Sequence, residues 1–316
     1  MKPLITTVAT TILMVNSAFT NADINTETSV LFIGNSFTYG YGSATRYYRA
    51  DSVTDLNNHG IGGVPALFKS FSEQAGLDYD VYLETRSSSA LDFHLENKLP
   101  EIGSQPWDQV VMHGYSTLDL NKPGDPALLI ETTVKMSTFL QQLNPNVEVF
   151  LTATWPRADL IYKADRQWSG TPIEKMALDV RAGYNKAAAA APPVKAVNGV
   201  GEAWTRAMFL GIADTNPYDG IEFGKVSLWS WDYYHASDYG YYLQALVVFG
   251  NLTALDPRSL GDNECYGFEL GMSRREVNLL QQAAFEQLAS EKKVKAAPLI
   301  FPKSVQPKHC ALNQSE

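Results

Sequence analysis

Ser36, Asp232 and His235 are side chains whose types and spacing suit nucleophilic catalysis. Ser36 follows an apolar run, 30–33, and a Gly-Asn turn signal, which predicts a serine just past the carboxyl end of a buried strand. Open α/β sheets bind their ligands at that edge. Asp232 and His235 are three residues apart, so the carboxylate can orient one ring nitrogen while the other faces a serine hydroxyl. The three residues therefore predict a nucleophile, a general base and an orienting carboxylate.

Each of these motifs has a simpler interpretation when it is taken alone. Segment 30–36 taken alone is more typical of a strand, a turn and a helix-capping serine than of a catalytic nucleophile. Short motifs specify function loosely, and Asp-x-x-His on its own is unspecific. The combination favours catalysis, because the serine stands near the start of the domain and the Asp-x-x-His motif near its end.

Together the two segments resemble those of the SGNH (GDSL-like) hydrolases, and more narrowly a bacterial branch whose first block reads Gly-Asn-Ser-Phe-Thr. The matching blocks are 32–38 and 232–235, and the likeness continues through 240–246 and 252–257. It covers roughly residues 29–260. The resemblance implies a flavodoxin-like three-layer α/β/α sandwich and a serine esterase with a Ser36-His235-Asp232 triad, without a cofactor or a metal.

The middle blocks of the chain depart from this family pattern. The family has a glycine whose backbone N–H points at the oxyanion, and Ser88 stands at the matching position. The family also supplies an asparagine after the third strand, whereas this chain reads His113-Gly-Tyr-Ser-Thr. We therefore expect an oxyanion hole formed by the N–H groups of Ser36 and Ser88 and by the ring of His113, with Ser116 and Thr117 as rivals to His113.

Strand and helix patterns alternate along the chain, which predicts a mostly parallel sheet with helices on both faces. The predicted fold class is thus α/β, a three-layer α/β/α sandwich around a five-stranded sheet. Strands are predicted at 30–33, 80–84, 107–112, 147–152 and 194–200, and helices at 64–75, 126–143, 174–191, 241–249 and 276–288.

Four residues are candidates for substrate binding: Asn35 and Tyr39 after the first predicted strand, Trp155 after the fourth, and Trp231 beside Asp232. Tyr39 opens a long, tyrosine-rich connection, 39–62, and loops of that length are often functional. Aromatic rings can stack on a sugar, although they can equally pack against the body of the protein.

Composition excludes several other classes of function. The net charge is −9 without a long basic run, which argues against nucleic acid and anionic membrane surfaces as partners. The sequence has no Gly-x-Gly-x-x-Gly segment after a strand and no P-loop, so a nucleotide cofactor is not expected. The histidines lack the spacing of metal ligands. The expected partner is a small-molecule or polysaccharide ester, and the oligomeric state stays open.

The N-terminus is typical of an export signal. Lys2 precedes a mostly apolar segment, 4–15, and small residues allow cleavage after Ala22. We expect a signal peptide at 1–22, a hydrolase domain at 23–290 and a tail at 291–316, and hence an exported protein that is periplasmic or extracellular. Export permits a disulfide between Cys265 and Cys310, and the alternative is two free thiols.

The sequence thus predicts an exported serine esterase that acts on short acyl esters, with acetyl groups on carbohydrate as the substrate that the resemblance suggests. Two alternatives stay open. One is a non-catalytic carbohydrate-binding relative, which the altered middle blocks favour and the intact Ser36, Asp232 and His235 oppose. The other is a lipase or thioesterase that uses the same residues.

Overall fold

The computed structural model describes residues 27–261 and 264–296. Six parallel strands in this part of the chain form one sheet, in the order β2-β3-β1-β4-β5-β6. The predicted α/β class with a parallel sheet is confirmed. The strands are β1 (Thr28–Gly34), β2 (Thr54–Asp55), β3 (Tyr79–Thr85), β4 (Gln109–Met112), β5 (Glu148–Ala153) and β6 (Val194–Gly199).

The sheet has six strands rather than the predicted five. The additional strand is β2, whose two residues, Thr54 and Asp55, pair with Tyr82 and Leu83 of β3 at one edge. A strand of two partly exposed residues has no hydrophobic alternation, so the sequence carries no periodic signal for it.

The longer helices form two groups that meet where α7 packs against α8. Helices α2, α8 and α11 each pack against α9, and α3 and α7 each pack against α5. The helices are α1 (Ser36–Tyr39), α2 (Gly63–Gln74), α3 (Leu91–Asn97), α4 (Leu99–Ile102), α5 (Ala127–Leu143), α6 (Ala158–Ile161), α7 (Ile173–Ala190), α8 (Val200–Phe209), α9 (Asp238–Thr253), α10 (Cys265–Glu269) and α11 (Arg274–Ser290), with 3-10 turns at Ala44–Tyr47, Ala50–Ser52 and Pro257–Leu260.

The direction in which the chain builds the sheet changes at β1. From β1 the chain first adds β2 and β3 on one side, and then β4, β5 and β6 on the other. Side chains 30–33 of β1 are at most 2% exposed, as expected for a strand covered on both faces. The carboxyl end of β1 is therefore the switch point at which such sheets leave a crevice for a ligand.

None of the helices in the described part of the chain is long and apolar enough to cross a membrane. The predicted signal peptide, 1–22, Cys310 and most of the predicted tail lie outside the described residues. The signal peptide and the disulfide therefore stay predictions.

A stack of aromatic rings fills the core behind the carboxyl end of the sheet. Trp155 lies between Phe37 of α1 and Trp204 of α8, with ring centroids 4.2 and 4.8 Å apart and nearly parallel planes. Trp229 meets Trp204 edge-on at 5.5 Å. Aromatic pairs of this kind stabilise a fold by more than the apolar area that they bury. This stack therefore helps to hold α1 and α8 against the strand ends.

The contribution of this aromatic stack to the stability of the protein can be tested. Trp204 is fully buried, so Trp204→Ala is expected to lower the free energy of unfolding by about 3–5 kcal/mol in urea titrations. Phe209→Ala is the control, because Phe209 lies on the same helix and is 67% exposed. A loss of less than about 1 kcal/mol for Trp204→Ala would contradict the described packing.

Candidate active site

The turn after β1 places Ser36 at the start of a four-residue helix, α1. Asn35 caps this helix, because its Oδ1 accepts a hydrogen bond from the backbone N–H of Phe37 at 3.0 Å. Gly40 ends the helix in the left-handed conformation, with φ of +82°. The hydroxyl of Tyr241 on α9 donates to the carbonyl oxygen of Ser36 at 3.0 Å. The nucleophile turn is thus held by local capping and by a distant helix.

The structure brings Ser36, His235 and Asp232 together. The Nε2 atom of His235 lies 2.9 Å from Oγ of Ser36, and its Nδ1 lies 2.6 Å from Oδ2 of Asp232. A carboxylate only accepts, so Nδ1 carries the ring proton and Nε2 accepts from the serine hydroxyl. Ser36 and His235 are 5% and 7% exposed. This arrangement can remove the proton of Ser36 as the hydroxyl attacks an electrophile.

Hydrogen bonds keep Asp232 ionised. Its Oδ1 accepts from the backbone N–H groups of Tyr234 and His235, at 3.0 and 2.9 Å. Burial on its own raises the pKa of Asp232, but these bonds and the bond from the His235 ring outweigh it and lower the pKa to about 2. Asp232 can therefore hold the His235 tautomer and stabilise its protonated form at neutral pH.

A tight loop, rather than a helical turn, sets the spacing between Asp232 and His235. Trp229 and Ala236 form an antiparallel bridge at its base, and the N–H of Ser230 donates to the carbonyl of His235 at 2.8 Å. Tyr233 adopts a left-handed backbone with φ of +57°, an uncommon conformation for a large side chain that often occurs at functional sites.

Aromatic rings surround the imidazole of His235. The ring centroids of Tyr234, Tyr41 and Phe37 lie 4.1, 4.6 and 5.6 Å from that of His235. They limit the orientations that the imidazole can adopt. The role of Tyr41 was missed in the sequence, because its connection contains several tyrosines and nothing distinguishes this one.

Ser88 lies in the loop after β3. Its φ is +57°, and a turn whose third residue alone has positive φ is a type II turn, where glycine is usual. Two bonds fasten this loop to the nucleophile turn: the N–H of Arg86 donates to Gly34 O at 3.0 Å, and Nδ2 of Asn35 donates to Ser89 O at 2.7 Å. Among residues 27–261 and 264–296, no group accepts a hydrogen bond from the N–H of Ser36 or of Ser88. Both donors are thus available to an oxyanion.

His113 does not have a free ring N–H for an oxyanion. Its Nδ1 lies 2.9 Å from Gly114 O, and its Nε2 lies 2.8 Å from Oγ1 of Thr38. A carbonyl only accepts, so Nδ1 is protonated and Nε2 accepts from the threonine hydroxyl. Burial lowers the pKa of His113 to about 4, so the ring is neutral. We therefore assign His113 to supporting the nucleophile turn.

Of the two rivals to His113, only Thr117 is engaged as a donor. The hydroxyl of Thr117 donates to Asp119 O at 2.9 Å, whereas Oγ of Ser116 accepts from Arg157 at 3.4 Å, a bond that does not use the proton of the Ser116 hydroxyl. The backbone N–H groups of Ser36 and Ser88 are thus the two donors that the structure supports, with the Ser116 hydroxyl as their rival.

The four candidate substrate residues have different environments. Trp155 is fully buried, and its Nε1 donates to Tyr234 O at 3.1 Å, so it packs behind the site instead of facing a substrate. Tyr39 is 5% exposed, and Asn35 uses its amide in the cap and in the bond to Ser89. Trp231 is 73% exposed beside Asp232 and can contact a ligand.

The long connection after Ser36 is tied to the body of the protein. Asp238 accepts from the backbone N–H and the hydroxyl of Thr45, at 2.8 and 2.7 Å. Arg49 forms an ion pair with Glu269 at 2.8 Å. In the part of the chain that the structure describes, no group of three or more His, Cys, Asp or Glu side chains is arranged to hold a metal ion.

No protein-family model matches the chain, and no curated protein matches it. The fold is similar to that of a DUF4886 family protein from Bacteroides uniformis, with a TM-score of 0.60 and 17% identity, covering 85% of this chain and 98% of that one. A family 3 carbohydrate esterase from Clostridium thermocellum has a TM-score of 0.45 and 17% identity, covering 71% and 94%. The lipase/acylhydrolase from Enterococcus faecalis has a TM-score of 0.44 and 14% identity, covering 70% and 93%. The first likeness supports the fold alone.

The low pKa of Asp232 predicts a pH-dependent contribution to stability. Its pKa is about 2 in the folded protein against an ordinary 3.8, so the unfolded chain takes up the proton first as pH falls. The stability that Asp232 adds is complete above about pH 5 and is lost between about pH 4 and 2. Asp232→Asn should therefore destabilise the protein at pH 6, by on the order of 2 kcal/mol, and much less at pH 2.5.

Urea unfolding at several pH values measures this difference, and the exposed Asp51→Asn is the matched surface control. A gap between wild type and Asp232→Asn that stays constant from pH 6 to pH 2.5 would contradict the assigned charge.

Proposed function

We propose that the protein is a serine hydrolase that cleaves carboxylic esters through an acyl-enzyme. The observation that supports the proposal most strongly is the continuous hydrogen-bonded chain from Ser36 Oγ through His235 to Asp232. Ser36, at one end of this series of hydrogen bonds, lies at the carboxyl edge of the parallel sheet. This is the switch point of the sheet, where a substrate is expected.

The geometry supports a mechanism in two halves. Ser36 Oγ attacks the ester carbonyl while Nε2 of His235 takes the hydroxyl proton, and the tetrahedral oxyanion accepts hydrogen bonds from the N–H groups of Ser36 and Ser88. As the intermediate collapses, His235 gives the proton to the departing alkoxide, which leaves as an alcohol. Water then attacks the acyl-enzyme, His235 takes its proton, and Ser36 is released with the free acid.

The substrate class that we propose is a short acyl ester, with acetyl as the preferred acyl group and a carbohydrate as the preferred alcohol component. The exposed ring of Trp231, next to Asp232, is suited to stack on a sugar ring at the mouth of the site. The fully buried Trp155 and nearly buried Tyr39 offer no comparable surface. Export through the signal at 1–22 is part of the same proposal, and a mature chain that begins at Asp23 in mass spectra would support it.

Ser36→Ala is the direct test of the proposed function. We expect wild type to hydrolyse p-nitrophenyl acetate and an acetylated polysaccharide, and Ser36→Ala to lose about 10⁴-fold or more in kcat, because no nucleophile remains. Ser104→Ala, at an exposed serine in another part of the chain, is the control and should keep full activity.

Turnover that persists in Ser36→Ala would contradict the proposed nucleophile. Binding of the polysaccharide by wild type and Ser36→Ala alike, with hydrolysis by neither, would favour the non-catalytic carbohydrate-binding alternative. A preference for long-chain p-nitrophenyl esters over acetate would favour a lipase.

Proline substitutions test the proposed donor at Ser88. Ser88→Pro removes the N–H and excludes positive φ, so kcat should fall by about 100-fold or more. Ser88→Gly keeps the N–H and suits the backbone, so kcat should stay within about 2-fold of wild type. Ser87→Pro is the control, since the second position of a type II turn accepts proline. Full activity in a folded Ser88→Pro variant would exclude the Ser88 N–H from the oxyanion hole.

A further inference from the structure

A second buried histidine–carboxylate couple lies beneath the nucleophile turn. Glu84 on β3 and His94 on α3 are both fully buried, and Nδ1 of His94 forms a close ion pair with Oε2 of Glu84. The other ring nitrogen, Nε2, lies 3.1 Å from the carbonyl oxygen of Gly34, two residues before Ser36. The proposed reaction does not use this couple.

The partners of His94 decide where its protons lie. Gly34 O only accepts, so Nε2 must carry a proton and donate it. The close approach of Nδ1 to the Glu84 carboxylate needs a second proton on one of the two side chains, because two bare acceptors repel each other. The couple as a whole is then neutral, which avoids an unpaired charge at a fully buried position.

Further hydrogen bonds connect the couple to residues nearer the surface. Nδ2 of Asn57 donates to Oε1 of Glu84 at 3.1 Å, and Nζ of Lys98 donates to Oδ1 of Asn57 at 2.7 Å. Lys98 also pairs with Glu101 at 3.1 Å. Because each member of this chain has a partner, the Glu84 carboxylate has little freedom to turn away from His94.

We propose that the Glu84–His94 couple is a positioning device for the oxyanion hole. Gly34 O accepts two bonds, from Nε2 of His94 and from the N–H of Arg86, which begins the turn that contains Ser88. The two bonds together orient the peptide that leads into Asn35 and Ser36, and they hold it beside the Ser88 turn. His94 thereby sets the separation of the Ser36 and Ser88 N–H donors, and Glu84 sets the orientation of His94.

This inference rests on the proposed function, since it concerns donors that act only in acyl transfer. Its consequence is specific: weakening the bond to Gly34 O should lower kcat, while KM changes little, because the ground-state ester makes weaker contacts with the donors than the oxyanion does. A merely structural role would lower the stability and leave the kcat of the folded fraction intact.

Two amide substitutions at position 94 separate the two contacts. His94→Gln places an N–H near the position of Nε2 and can keep the bond to Gly34 O, whereas His94→Asn reaches only the position of Nδ1. We expect kcat for p-nitrophenyl acetate to fall about 100-fold in His94→Asn and less than about 10-fold in His94→Gln, with KM within about 2-fold in both. Circular dichroism and urea titration report the folded fraction, and His59→Gln, at an exposed histidine, is the control.

Glu84→Gln provides a variant of the same shape. Its amide nitrogen can face Nδ1 while its oxygen accepts from Asn57, so the contacts with His94 and Asn57 survive without the charge, and kcat should stay within about 10-fold of wild type. Equal losses of kcat in His94→Asn and His94→Gln, or no loss in either, would overturn the inference. A loss of 100-fold or more in a folded Glu84→Gln variant would also overturn it, because the charge rather than the contact would then decide.

The rate at which a fluorophosphonate labels Ser36 distinguishes this inference from the proposed function. A wild-type protein that is neither labelled nor active on esters contradicts the proposed function itself. A wild-type protein that is labelled, together with His94→Asn labelled at the same rate, contradicts only the positioning role. Labelling that slows about 100-fold in His94→Asn and recovers in His94→Gln supports it.

Discussion

Close packing around Gly34 is the constraint on which the site depends. A Cβ atom at this position would lie 2.2 Å from Oγ1 of Thr38 and 2.6 Å from Nε2 of His113. Only glycine lets β1 end so close to these two side chains, which are hydrogen-bonded to each other. The carbonyl oxygen of Gly34 accepts hydrogen bonds from His94 and Arg86. Ser36, two residues later, therefore leaves the strand from a point that close packing fixes.

Helix α9 connects the two distant halves of the site. Its capping residue, Ser237, directly follows the loop that carries Asp232 and His235, and the hydroxyl of Tyr241 binds the carbonyls of Ser36 and Tyr41. Asp238 binds the loop after Ser36 through Thr45. One helix therefore contacts both parts of the chain that carry the nucleophile and the base, which are 199 residues apart.

Long, periodic elements of this fold were predictable, and short ones were not. Predicted helices 64–75, 126–143 and 174–191 fall within one residue of Gly63–Gln74, Ala127–Leu143 and Ile173–Ala190, because each has an apolar face at helical spacing. Strand β2 and helix α8 were missed. The first has two residues, and the second begins at Val200, a residue that the predicted strand 194–200 included.

The sequence by itself determined the fold class and the residues that form the hydrogen-bonded chain, because strand burial, a Gly-Asn-Ser turn and an Asp-x-x-His spacing are local patterns. The tertiary structure decided which of the other polar and aromatic groups face the site. His113 and Trp155 follow strand ends as Ser36 does, yet contacts with Thr38 and Gly114, and with Phe37 and Trp204, bury them. The pairing of Glu84 with His94 was likewise visible only in the structure, because burial and partners depend on elements that are distant in the chain.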